Sequence, residues 1–254
     1  MNAIGASRTL RAVFLTVAAL VLINAAWRSF ENYPLIQGRR AHRWLVDLAA
    51  EDITIRQRAA DVLRREPALA VPVLTQALLN REQPFGDWLA RQANRIAPQF
   101  FELRDHTAVR SAAARLLGSV GSSASPAVPA LIVGATALEW RLREDAAVAL
   151  MELGPLAAPT LATTLGSESD NTTALRCAEI LRRMGPAAAV AIDQILSGFN
   201  DGRPAIRVAL APVLGQEWAN TEKVITALTA ATKSVHEGLQ VAALRALGAA
   251  SRVA

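Results

Sequence analysis

Residues 109–132 read VRSAAARLLGSVGSSASPAVPALI, and residues 142–165 repeat the phrase as LREDAAVALMELGPLAAPTLATTL. Each contains a glycine that closes a run of helical spacing. Aligning on it brings Gly121, Gly154 and Gly185 into register, 33 and 31 residues apart. Four residues before each glycine stands a leucine: Leu117, Leu150 and Leu181. A further turn back lie small pairs, Ala113-Ala114, Ala146-Ala147 and Cys177-Ala178. Apolar residues three and four apart make one face of a helix, and small residues on that face let a neighbouring helix come close. The glycine is a natural stop, because it adopts the left-handed conformation without a Cβ penalty.

After each stop come a short link and a second apolar run opened by proline. Pro129 precedes ALIV, Pro159 precedes TLATTL, and Pro72 precedes VLTQALL. Proline suits the first helical turn, where its missing N–H is not needed. The unit is therefore helix, tight turn, helix. The units also begin alike, with an acid and then an aliphatic residue followed by Arg or Gln. The series is Asp52 with Ile55-Arg56, Asp105 with Val109-Arg110, Glu139 with Leu142-Arg143, Asp170 with Leu175-Arg176, Asp201 with Ile206-Arg207, and Glu237 with Leu239-Gln240. The acid is placed to cap or favour a helix N-terminus. The arginine is placed to pair with the acid of an adjacent unit. A two-helix unit of this size cannot bury its apolar face alone, but stacked copies can.

An acid, then V-R-x-x-A-A-x-x-L-G-x-x-G, then A-V-P-A-L resembles the HEAT repeats, in the variety also called PBS-lyase HEAT-like. Val109-Arg110, Ala113-Ala114, Leu117-Gly118, Gly121 and Ala127-Val128-Pro129-Ala130-Leu131 carry the resemblance best. It extends over about residues 50–254. It implies an all-α fold: a right-handed solenoid of about six helical hairpins, second helices inward, preceded by one N-terminal apolar helix. The stretch QGRRAHRWLVDL, residues 37–48, also resembles the segment that follows the membrane helix in uncharacterised bacterial HEAT proteins. Trp44 and Leu48 lie four apart there, placed to cover the open first repeat. The expected organisation is a signal-anchor or signal segment at 1–30, a linker and capping helix at 31–50, and the solenoid at 51–254.

Composition agrees with helices. Hydrophobic residues are 52% of the chain but aromatics only 5%, so Ala and Leu carry the apolar content, which favours helix over sheet. The net charge of +5 suggests nucleic acid until it is located. Residues 1–65 hold ten arginines and five acids, whereas residues 66–254 are balanced at seventeen and seventeen. A phosphate-binding groove needs a positive stripe along the binding surface, and the body has no surplus to build one. No nucleic-acid partner is expected.

Sixteen residues without charge, AVFLTVAALVLINAAW at 12–27, lie between Arg11 and Arg28. As a helix they span about 24 Å, short of a ~30 Å hydrocarbon core unless the flanking arginines snorkel. A signal anchor, a cleaved secretory signal with Ile23-Asn24-Ala25 as its site, and a buried helix all fit this segment. The anchor is the favoured expectation, with the body on the exported side.

The period breaks once. Leu63 and Leu117 are equivalent yet 54 apart, so the first unit carries an insertion at 80–105. It contains Phe85, Trp88, Phe100 and Phe101, with Arg91 and Arg95 between them. Insertions in repeat proteins map to loops on one face, often the binding face. These six residues are the candidate partner-binding site, although the aromatics could equally cover the ends of the first two repeats.

Chemistry is sparse. The three histidines, His42, His106 and His236, lie in different units, so no metal cluster is expected. Cys177, the sole cysteine, sits among apolar neighbours and is expected to be buried and inert. LGSVGSSAS is a helix stop and not a phosphate cradle, since no Lys-Ser/Thr follows. No catalytic residue and no cofactor are expected. The sequence thus points to a membrane-tethered, non-catalytic scaffold or adaptor for a protein or peptide partner. Its alternatives are a secreted binding protein after signal cleavage, or a HEAT-like enzyme related to bilin lyases or DNA glycosylases.

Overall fold

A computed structural model describes residues 34–79, 106–166, 170–201 and 203–251. The apolar segment 12–27 and the insertion 80–105, with Phe85, Trp88, Arg91, Arg95, Phe100 and Phe101, lie outside the described residues. The chain is built of paired helices. After α1 (Ala41–Leu48) come α2 (Ile53–Arg65) with α3 (Pro67–Leu79), α4 (His106–Val120) with α5 (Val128–Ala135), and α6 (Trp140–Leu153) with α7 (Ala158–Gly166). Then follow α8 (Asn171–Met184) with α9 (Ile192–Asp201), α10 (Pro204–Leu214) with α11 (Glu222–Ala231), and α12 (Glu237–Ala250). Among the described residues this makes five hairpins and a terminal helix, all sharing one continuous apolar core.

The glycine stops hold, with one correction. Gly121, Gly154 and Gly185 have φ of +73°, +53° and +58°. At Gly154 and Gly185, however, ψ is −120° and −132°, which is not the left-handed helical region. It is the mirror of the extended region, which is still less available to a residue with a Cβ. This geometry turns each chain into a 3-10 turn: Gly121–Ala127, Gly154–Leu156 and Gly185–Ala191. Pro155 and Pro186 open the second and third of these turns.

The prolines follow expectation in part. Pro129 and Pro159 lie in the first turns of α5 and α7. Pro72 does not, since α3 begins one turn earlier, at Pro67, and runs on through Pro72.

Stacking is closest where the first helices of successive units cross at small residues. A methyl built on Gly118 of α4 would stand 2.7 Å from the Cα of Ala149 in α6. One built on Gly215, just after α10, would stand 2.7 Å from the Cα of Ala246 in α12. No real Cβ tolerates that distance, so backbone rests on backbone at both crossings. The leucines in register (Leu117, Leu150, Leu181) are fully buried.

The all-helical expectation omits a small ribbon at the N-terminal end. Strands β1 (Leu35–Ile36) and β2 (Arg39–Arg40) pair antiparallel around a turn in which Gln37 and Gly38 both have positive φ. Two such residues are what a tight hairpin turn requires. The ribbon holds α1 in place: Trp44 donates from Nε1 to the Ile36 carbonyl at 3.0 Å, and the Arg39 guanidinium lies over its ring. Trp44 and Leu48 are both buried as α1 packs against α2, α3 and α4.

Among the described residues, one helical stretch, Thr107–Ala135, is long and apolar enough to cross a bilayer, with mean hydropathy 1.5. Half of its apolar window is buried inside the array, which accounts for its composition.

Gly118→Val should destabilise the protein by at least ~1–3 kcal/mol, since its side chain has no place to go. The chemical denaturation midpoint reads this directly, and an unchanged midpoint would refute the α4–α6 backbone contact.

Candidate functional site

The repeated start motif supplies local order before it supplies any site. Asp52 and Asp170 cap their helices, accepting from the Thr54 amide at 2.7 Å and the Thr173 amide at 2.6 Å. The side-chain hydrogen bond from Thr54 and the backbone one from Thr173 hold the two carboxyls below the usual aspartate range. Glu139 occupies the same position before α6 but does not cap; it faces Arg110 at 3.6 Å.

The motif arginines do more than the expected pairing with acids. Two of them do reach carboxylates of adjacent units: Arg110 meets Glu139, and Arg176 meets Glu144. Carbonyls at unit junctions are the commoner target. Arg56 donates to the Ala50 and Glu51 carbonyls, both at 2.7 Å. Arg110 donates to Leu78 at 3.0 Å, Arg143 to Ala137 at 3.2 Å, and Arg176 to Ala135 at 3.2 Å. Carbonyls at the end of a helix lack intrahelical partners and carry the negative pole of its dipole, so a guanidinium is a fitting cap. Gln240 does the same for the Ser234 carbonyl. Arg207 instead lies over the Phe199 ring, 5.2 Å from its centroid.

The junction between α2 and α4 departs from close stacking. The register that puts Arg56 level with Arg110 puts Arg64 level with Gly118. Where α4 offers bare backbone to the next unit, α2 offers a guanidinium, and α2 touches α4 only sparsely. Helix α1 enters the gap with Leu48. The result is an open cleft of about 470 Å³, floored by Leu48, Ala60, Ala112 and Leu116. Arg56, Arg64 and Arg115 rise from its walls, with Asp61 the one carboxylate among the lining residues. Arg64 donates to the Ser119 hydroxyl and to Asp61, both at 3.2 Å, so it bridges the mouth. Arg115 is steadied by Asp145 of α6 at 2.6 Å. A guanidinium has five donors, and these bonds use only part of that capacity. The cleft can therefore take an anionic group beside an apolar one.

The remaining chemistry is quiet. Cys177 is buried, and burial alone pushes its thiol up to about 12, so it is no nucleophile at neutral pH. Among the described residues, no three His, Cys, Asp or Glu side chains gather closely enough to hold a metal ion.

The sequence matches no protein-family model and no curated protein. Among solved structures it is similar to human deoxyhypusine hydroxylase in complex with glycerol, with 17% identity and a TM-score of 0.40. The match covers 84% of this chain and 95% of that one. That protein is an enzyme, and the finding corrects two linked expectations: that this chain is a non-catalytic scaffold or adaptor, and that it is not an enzyme. A helical array of this build does not entail either, and neither is retained. At this level of similarity, no substrate or reaction passes from that protein to this chain.

Glu144 offers a titration test of the array. Its carboxyl is held below the usual glutamate range, first by the hydrogen bond from Arg176 and then by that from Arg183. A lowered folded-state value means stability that is complete above the ordinary glutamate value and lost as pH falls through the folded one. Glu144→Gln should therefore flatten the acid limb of a stability-versus-pH curve. Parallel curves for the two proteins, from urea midpoints at a series of pH values, would show that the pair does not couple α6 to α8.

Proposed function

We propose that the protein binds an acidic segment of a protein partner in the cleft between α2 and α4. One observation carries this reading: three arginines stand over an apolar floor in the cleft beside α2 and α4, where these two helices touch only sparsely. The arginines would receive carboxylates, and Leu48, Ala60, Ala112 and Leu116 would receive an apolar side chain between them. The volume lies within the ~300–1,000 Å³ usual for binding pockets. A nucleic-acid strand would need positive charge continued along the array. Elsewhere Arg110, Arg143 and Arg176 are already turned onto carbonyls and carboxylates of the fold.

A fluorescein-labelled dodecapeptide of Asp, Glu and Leu tests the reading by fluorescence anisotropy against a twin with Lys in place of the acids. The acidic peptide should bind, and Arg64→Glu should weaken it by about tenfold or more, as for a charge reversal at a ligated site. Equal binding of both peptides, or binding indifferent to Arg64→Glu, would overturn it.

We further propose that residues 12–27 hold the protein to a membrane with the array on the exported side. Their lack of charge, the flanking Arg11 and Arg28, and Trp27 at the interface position support this. The full chain should stay with membranes through an alkaline carbonate wash, whereas release as a shortened soluble chain would favour signal cleavage.

A further inference from the structure

Among the described residues, helix α12 has an open face that shares an arginine and a glycine with a surface used inside the molecule. Aligning Leu239-Gln240 with Val109-Arg110 places four residues of α12 on known ground. Val241, Leu244, Arg245 and Gly248 stand where α4 has Ser111, Ala114, Arg115 and Gly118. In α4 that face is covered by α6: Ser111, Ala114 and Gly118 are buried, and Arg115 reaches Asp145 at 2.6 Å. In α12 it is open. Leu244 is 59% exposed and Val241 41%, and a methyl built on Gly248 would meet nothing within 4 Å.

We propose that this face of α12 is a docking site for a helix of a partner protein that carries a carboxylate and a small residue one turn apart. The carboxylate is set by Arg245, as Asp145 is set by Arg115. The small residue is set by Gly248, as Ala149 is set by Gly118. Leu244 and Val241 supply the apolar contact on either side. The same backbone-on-backbone crossing occurs again at Gly215 and Ala246, so the site continues an interface that the array already uses. A second copy joined head to tail is a poorer occupant, because α1 and the β1–β2 ribbon already cover the other end.

The probe is a helix-stapled, fluorescein-labelled peptide of residues 138–154, LEWRLREDAAVALMELG, added to the full-length protein. The staple is needed because a free helix of this length is marginal in water. Saturable anisotropy is expected. Gly248→Val on the protein should weaken it by about tenfold or more while leaving the denaturation midpoint unchanged, since that side chain fills only the docking space. Arg245→Asp should weaken it likewise, and a peptide with Asp145→Arg should regain binding to that variant. Arg64→Glu should leave it unaltered, which separates this site from the α2–α4 cleft. Failure to bind, or binding that survives Gly248→Val, would overturn the proposal. So would a concentration-dependent dimer lost in Gly248→Val, which would place a second copy on the face.

Discussion

This array depends on helices that come close enough for small side chains to fill the space between them. The core is made of alanine and leucine, with few aromatics to fill space. An alanine methyl reaches only a short way from its helix. Dispersion falls steeply with separation, and a gap of even half an ångström forfeits a good part of each contact. A core of small residues is therefore stable only if the backbones themselves come close. The crossings of Gly118 on Ala149 and Gly215 on Ala246 meet that requirement. The phrase recurs in the sequence because each copy must shelter the apolar face of the next, and at α4 and α10 bare backbone brings the two closest.

The second requirement is polar. Every hairpin ends with a helix whose last carbonyls have no partner within it, and those ends are gathered at the junctions between units. Leaving such groups buried and unpaired would forfeit about as much as a good packing contact supplies. The arginine one turn into the following helix answers this. Its stem packs against the apolar seam while its head takes the carbonyls, and where reach remains it takes a carboxylate as well. Arg176 shows the combination, holding the Ala135 carbonyl and Glu144 together. That Arg176 lies two residues out of phase with Arg110 and Arg143 has a structural counterpart. It reaches past the adjacent unit to the end of α5, where Arg143 also binds.

Much of this was legible in the chain itself. The glycine-centred period marks the units, and the spacing of Leu117, Leu150 and Leu181 marks the seam. The acids Asp52 and Asp170 mark helix starts. What escaped had a physical reason in each case. Pro72 stands before an apolar run as Pro129 and Pro159 do, which marks it as a helix start, yet Pro67 lies more than a turn earlier and serves that role. The β1–β2 ribbon is two residues a side, too short for any alternation to show. The spacing of acids and arginines predicts ion pairs, but the carbonyls that Arg56, Arg110, Arg143 and Arg176 also bind leave no mark in a side-chain pattern. The cleft was half visible: the register sets Arg64 against Gly118 on paper, but only the packed helices show that the substitution leaves room beside it.

The ends of a stack complete the physical picture. An interior unit is covered on both sides by its neighbours, so a terminal one must solve half of the same problem by other means. At the N-terminal end the solution is local. Helix α1 lies across α2 and α4, pinned by Trp44 to the Ile36 carbonyl, and Trp44 is only 6% exposed. No comparable element covers α12 among the described residues. Its outward face keeps the arginine and the glycine of α4, with the exposed Val241 and Leu244 where α4 has Ser111 and Ala114. A surface evolved merely to meet water would have no reason to hold a glycine within a helix, where it weakens the backbone by about 1 kcal/mol relative to alanine. Gly248 is therefore best understood as a contact residue whose cost is offset when a second backbone arrives, as it is at Gly118 and Gly215.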